Sequence, residues 1–179
     1  MRKLKLEELG RISTTEFKAA EKIDIIVLLD NIRSGLNVGS IFRTSDAFRI
    51  KKIILSGITA QPPHREVLKT AIGATDSVDW EYINNPIDAI QKLKQDNWQV
   101  IAIEQTDNSI SLEDFIPKKN EKYLLIFGNE VGGVSDELLS LVDAAIEIPQ
   151  YGTKHSLNVA VCYGITIWDI NGKLKPSSA

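Results

Sequence analysis

"IIVLLDNIRSGLNVGSIFRTSDAF", residues 25–48, changes character twice within one short stretch. Residues 25–29 are a continuous apolar run of strand length, the pattern of a strand buried on both faces of a parallel sheet. The next eight, DNIRSGLN, are polar and turn-rich. From Val38 the spacing becomes helical, with Val38, Ile41, Phe42, Ser45 and Phe48 on one side. Strand, polar corner and helix together make the repeating unit of an α/β sheet, and the alternation recurs along the chain. Apolar runs at 53–55, 100–103, 123–127 and 145–148 predict further strands. Helical patterns cover 65–72 (ending at Gly73), 86–95 (opened by Asn85-Pro86), 135–141 and 156–170. The expected fold is α/β, a mostly parallel sheet flanked by helices. Residues 1–23 read as a short basic and polar lead-in with one small helix, since Ser13 and Glu16 have the spacing of a capping box. Residues 24–179 read as a single domain.

Composition narrows the function classes. With 179 residues, 43% of them hydrophobic, the chain can bury one full core. No run approaches the roughly 18 apolar residues of a membrane helix, and the start lacks the apolar centre of a secretory signal, so a cytoplasmic protein is expected. One cysteine, Cys162, forms no internal disulfide and is expected as a buried or half-buried thiol; with two scattered histidines it makes no metal site. A net charge of −3 argues against a protein held on nucleic acid by bulk positive charge, but leaves room for a local basic patch.

In an open parallel sheet, ligands bind beyond the carboxyl ends of the strands. Three loops there are polar and glycine-containing: DNIRSGLN after Leu29, GNEVGGVSDE after Phe127 and PQYGTKHSLN after Ile148. Each hands over to a helix through an expected capping residue, Asn37, Ser135 or Ser156. Neither a P-loop, nor a G-x-G-x-x-G after the first strand, nor a G-x-S-x-G elbow is present. Arg43, two positions after Ile41, is turned about 200° from it and points away from the core. It is either a solvated arginine paired with Asp46 at i+3 or a functional group. In the last helix Leu157, Ala160, Val161, Gly164, Ile165 and Trp168 are read as the core stripe. Asn158 then lies on its flank, either as a second cap behind Ser156 or as a side chain reaching into the crevice.

Taken in order, NIRSGLNVGSIFRTSDAF, LLIFGNEVGGVSDELL and IEIPQYGTKHSLNVAV resemble the three signature motifs of the SpoU (TrmH-like) RNA ribose 2′-O-methyltransferases of the SPOUT superfamily. The intermediate KTAIGATDSVDW resembles the family's stretch after its second strand, so the likeness runs from about residue 25 to 169. It implies an α/β domain with a C-terminal trefoil knot, a feature that no general folding rule would suggest. It also implies S-adenosylmethionine as cofactor, a tRNA or rRNA substrate and a homodimer. By position in the motifs, the implied catalytic residues are Asn37, Arg43, Glu130, Ser156 and Asn158. The implied cofactor-binding residues are Ile103, Glu104, Gly128, Asn129, Gly132, Ile148, Gln150, Ser156 and Leu157. Gln150 departs from the methionine that many members carry. The resemblance places the target ribose and its phosphate at the polar corner, with Arg43 facing the methyl donor. A guanidinium with a pKa above about 12 is a poor base. Arg43 is therefore expected to bind the adjacent phosphate and stabilise the developing oxyanion. The stretch carries no appended RNA-binding segment, so capture is expected from the core, from Arg2, Lys3, Lys5 and Arg11, and from the dimer partner. A non-catalytic RNA- or cofactor-binding protein of the same fold is the alternative.

Overall fold

The structure is a computed structural model and describes residues 1–174. After a 3₁₀ turn, Leu6–Leu9, and helix α1, Thr14–Ala19, the chain alternates. The strands are β1 Ile23–Asp30, β2 Ile50–Ser56, β3 Trp80–Ile83, β4 Trp98–Ile103, β5 Ile110–Ser111, β6 Lys122–Phe127 and β7 Ala144–Glu147. Between and after them lie α2 Gly35–Ala47, α3 Arg65–Ala71, α4 Ala74–Ser77, α5 Ile87–Gln95, α6 Asp136–Leu139 and α7 Val159–Leu174. The strands form one sheet in the order β3-β2-β1-β6-β4-β7-β5, and every pairing is parallel.

The continuous apolar run of β1 has the expected cause, because successive residues feed opposite layers. Ile25, Val27 and Leu29 pack with Val38, Ile41 and Phe42 of α2, Val67 of α3 and Tyr163, Ile167 and Ile170 of α7. Ile26 and Leu28 pack on the other side with Ile90 of α5, Leu124 and Ile126 of β6 and Leu138 of α6. With both faces covered, β1 has no solvent side on which polar residues could alternate.

Several expectations need correction. The edge strands β3 and β5 were not anticipated; WEYI is only half-buried and β5 is two residues long, so neither has the apolar run of a central strand. The lead-in carries a 3₁₀ turn besides the helix capped by the Ser13–Glu16 box. The cap of α2 is Ser34, whose hydroxyl accepts the Asn37 N–H, not Asn37. Ser135 precedes α6 but makes no side-chain cap; its amide instead donates to the buried carboxylate of Asp30 at 2.9 Å. The cap of α7 is Asn158, whose Oδ1 accepts from Ala160 and Val161 at 3.0 and 3.3 Å, and not Ser156. Finally, the stripe assigned to the core of α7 is rotated. Val159, Tyr163, Ile167 and Ile170 are buried, while Val161, Ile165 and Trp168 are 51%, 39% and 70% exposed. The sequence VAVCYGITIWDI is apolar nearly all round, so periodicity could not choose which face meets the sheet.

One hydrogen bond and one aromatic contact fasten α7 to α2 and the residue that ends it. Ser45 Oγ and Tyr163 Oη lie 2.6 Å apart in the buried layer, and Phe48 meets Trp168 edge-on at 6.1 Å.

Candidate active site

Three neighbouring strands end level with one another, because Ile103 of β4 is in register with both Phe127 of β6 and Ile146 of β7. Beyond these ends opens a cleft of ≈ 360 Å³ whose walls are the segments following each strand. All nine residues expected to bind the cofactor line it. So do Glu130, His155 of the third polar loop and, unanticipated, Gln105 and the first turn of α7 at Val159 and Cys162.

The wall after β6 is held in shape by its own side chains. Asn129 accepts the amides of Val131 and Gly132 through Oδ1 at 3.0 and 2.8 Å, and pairs by backbone with Gly133 in both directions. Glu104 reaches across from β4 and spends both oxygens on backbone, Oε2 on Val134 at 3.0 Å and Oε1 on Gln105 at 2.9 Å. A Cβ at Gly128 would lie 1.9 Å from the Gly133 carbonyl carbon, and one at Gly133, where φ is +65°, would lie 2.2 Å from Glu104 Oε2. Only glycine permits so close an approach. Glu104 and Asn129 therefore line the cleft chiefly as the parts that fix its wall.

Asn37, at the start of α2, joins the walls. Its Nδ2 donates to Glu130 Oε1 at 2.5 Å, and its Oδ1 accepts from Asn158 Nδ2 at 3.1 Å. One amide thus ties together one residue from each of the three polar loops, residues 93 and 121 positions away in the chain. Ser156 lies on the cleft wall with its side chain exposed.

Arg43 lies elsewhere. It is exposed, as its helical position requires, but it faces a second cavity of ≈ 540 Å³ lined also by Arg11, Arg49, Asp46 and Asp76. It is not paired with Asp46, which accepts the hydroxyl of Ser77 instead. Among the described residues none of the three arginines has an ion-pair partner. Within one chain, then, Glu130 lines the cleft, Asn37 and Asn158 are joined to it through the Asn37 amide, and Arg43 lies elsewhere.

The thiol of Cys162 is pushed up to about 11, mainly by burial, with the charge of Glu104 adding to the rise and a hydrogen bond with Thr166 opposing it. Reactivity follows the thiolate fraction. At pH 8 iodoacetamide is therefore expected to alkylate Cys162 about 100-fold more slowly than a cysteine of ordinary pKa, with the rate still rising through pH 10. Peptide mass mapping over time checks this, and a rate that levels off below pH 9 would contradict the burial described.

The lining is chemically suited to S-adenosylmethionine. Ile103, Ile148 and Leu157 supply apolar surface for a ring, and the glycine-bearing turn brings backbone rather than side chains to the wall. Gln150, Ser156 and His155 add polar groups at the rim.

A profile of the SpoU rRNA Methylase family matches residues 24–168. The tRNA (guanosine(18)-2′-O)-methyltransferase of Aquifex aeolicus is 32% identical over 152 residues, covering 82% of this chain and 68% of that protein. The 23S rRNA (guanosine(2553)-2′-O)-methyltransferase RlmP of Bacillus subtilis is 30% identical over 147 residues, covering 82% and 58% respectively. Among solved structures, the AdoMet-bound rRNA methyltransferase from Sinorhizobium meliloti superimposes with a TM-score of 0.79 at 28% identity, over 89% of this chain and 61% of that one. The A. aeolicus TrmH/SpoU tRNA modifying enzyme gives 0.77 at 27% identity, over 89% and 79%. The chain thus spans between 58% and 79% of the length of these four proteins. A match that starts in the first strand, ends in the last helix and takes in all three segments meeting at the cleft makes this chain a member of the SpoU rRNA Methylase family.

Proposed function

We propose that this protein transfers a methyl group from S-adenosylmethionine to a ribose 2′-hydroxyl of tRNA or rRNA. The observation that carries the reading is the Asn37 amide, which draws Glu130 and Asn158 to the mouth of the cleft. S-adenosylmethionine would supply the methyl group on a positively charged sulfur, which leaves as a neutral thioether while the 2′-hydroxyl proton passes to solvent. The chain's residues supply position and electrostatics. Ile103, Ile148 and Leu157 cover apolar surface and keep water out, while Gly128, Asn129 and Gly132 hold the wall against which the donor rests. Asn37, Glu130, Ser156 and Asn158 set the geometry at the mouth. Arg43 binds the phosphate next to the target ribose and stabilises the oxyanion that develops on the 2′-oxygen. Arg11 and Arg49 share its cavity and give it the local positive charge that the whole chain lacks.

The working unit in this reading is a homodimer. Val161, Ile165 and Trp168 recur at i, i+4 and i+7 on the outer face of α7, an apolar stripe left in water. The stripe begins at the cleft, which Val159 and Cys162 line, and ends at the Phe48–Trp168 contact beside Ala47 and Arg49 of the arginine cavity. A two-fold partner laid antiparallel on that stripe sets the cleft of one protomer against the arginine cavity of the other. Arg43 then serves the cleft of the partner protomer. Residues 24–179, of which 175–179 lie outside the described residues, are read as one methyltransferase domain whose segment from Ile148 to Leu174 is the threaded end of a trefoil knot, working in the cytoplasm.

The test is direct. Calorimetry should detect S-adenosylmethionine binding. Incubation with labelled cofactor and total RNA from a strain lacking this protein should then place label on a 2′-oxygen. Binding without transfer to any RNA leaves the non-catalytic alternative; no binding at millimolar cofactor ends the reading.

A further inference from the structure

Apart from Met1, the two most exposed large apolar side chains among the described residues are Val131, at 97%, and Tyr151, at 92%. They stand on two of the segments that wall the cleft: Val131 lines it, and Tyr151 follows Gln150, which also does. The Tyr151 hydroxyl has no hydrogen-bond partner among the described residues, and its neighbours are polar: Gln150, Gly152, Thr153, Lys154 and His155. Helix and strand are absent from residues 148–158; a bond from Gln105 Nε2 to the His155 carbonyl at 3.2 Å fastens the segment to the wall after β4. Gly152 has no positive φ, and a Cβ there would meet nothing within 4 Å, so packing does not demand glycine beside the ring.

An aromatic ring in water on the segment that walls a cleft, three residues before a lysine that has no ion-pair partner among the described residues, suits a flat ligand carrying negative charge. We infer that Tyr151 is a stacking platform for the nucleobase of the nucleotide undergoing methylation, with Lys154 against its phosphate; the inference rests on the RNA-methylating reading above. Every base presents a π-face, so stacking holds the nucleotide at the mouth without reading its sequence. The ribose is then presented edge-on to the cleft, as attack through the 2′-oxygen requires. Val131, exposed on the wall after β6, offers apolar surface to the same nucleotide.

The experiment compares wild type with Tyr151→Ala, Tyr151→Phe and Tyr151→Trp on the same total RNA. It measures the dependence of methyl transfer on RNA concentration, cofactor affinity by calorimetry, and mass by light scattering. Tyr151→Ala should raise the KM for RNA by about tenfold or more. Its cofactor affinity and oligomeric mass should stay at the wild-type values, and Phe and Trp should recover the RNA dependence. A Tyr151→Ala protein with wild-type KM overturns the inference, as does one whose main defect lies in cofactor affinity or mass. A tyrosine that works through its hydroxyl would leave Phe as defective as Ala, which also overturns it. If wild type itself methylates no RNA, the functional reading falls and this inference falls with it; transfer by wild type with no effect of Tyr151→Ala removes this inference alone.

Discussion

Arg43→Ala will fold, will bind S-adenosylmethionine with wild-type affinity, and will transfer methyl groups about 10² more slowly or worse. The fold should survive because Arg43 is exposed and makes no ion pair among the described residues, so its removal opens no cavity and strands no buried charge. Cofactor affinity should survive because Arg43 does not line the cleft of its own chain and, in the dimeric reading, grips the RNA phosphate at the partner's cleft rather than the cofactor. What is lost is stabilisation of charge on the attacking oxygen, where a hundredfold corresponds to about 2.7 kcal/mol. Arg43→Lys should recover little, since a single ammonium cannot grip phosphate with two parallel bonds. Mixing sharpens the test. Gly128→Ala drives a methyl into the backbone of the turn that walls the cleft, so it should disable the cofactor site while leaving Arg43 untouched. If the two act across a dimer, exchanging subunits between Arg43→Ala and Gly128→Ala should restore roughly a quarter of wild-type activity, from the statistical share of heterodimers. Arg43 acting within its own chain would give no recovery at all.

The second large effect is expected from the outer face of α7. Ile165→Glu combined with Trp168→Glu should give a folded monomer of 19.9 kDa by light scattering. Within one chain the double substitution removes the edge contact of Trp168 with Phe48 but leaves the Ser45–Tyr163 bond and the buried face of α7, so the chain should still fold. Between two copies they would bury four carboxylates, and burying an unpaired charge costs several kcal/mol, enough to weaken association by about 10³ or more. The monomer should still bind cofactor, and it should transfer at background rate because no second chain brings an arginine to its cleft. A fully active monomer would show that the site is complete in one chain. A persisting dimer would place the interface elsewhere.

The central fold was legible because physics writes it twice, in apolar runs and in helical spacing. Strands β1, β2, β4, β6 and β7 were all anticipated, and α2 buries the face its spacing indicated, Val38, Ile41, Phe42 and Ser45. What escaped has specific reasons. A four-residue edge strand such as WEYI has too little buried surface to need an apolar run. An apolar stripe marks a surface that leaves water, yet it does not say whether the cover is the sheet or another chain, and on α7 the stripe chosen was the outward one. Two caps were misplaced, by three and by two residues, because several short polar side chains compete at each corner, and only the backbone path decides between Ser34 and Asn37 or between Ser156 and Asn158. The order of strands, and hence which loops converge, is carried by contacts between residues far apart in the chain. The nine expected cofactor residues were named through the family resemblance, and no rule of local spacing would have assembled them. Arg43 was correctly turned away from the core, but spacing alone says nothing of what lies opposite.

The bracing of α7 against α2 bears on how two such chains would meet. With Ser45 bonded to Tyr163 and Phe48 set edge-on to Trp168, the two helices form a stiff plate before any encounter. Much of the ordering that association ordinarily demands is then completed during folding of the single chain, and little rotamer entropy is left to lose at the contact. Such a plate lets a modest stripe of exposed side chains hold a long-lived complex, and it favours slow departure over fast arrival as the source of affinity.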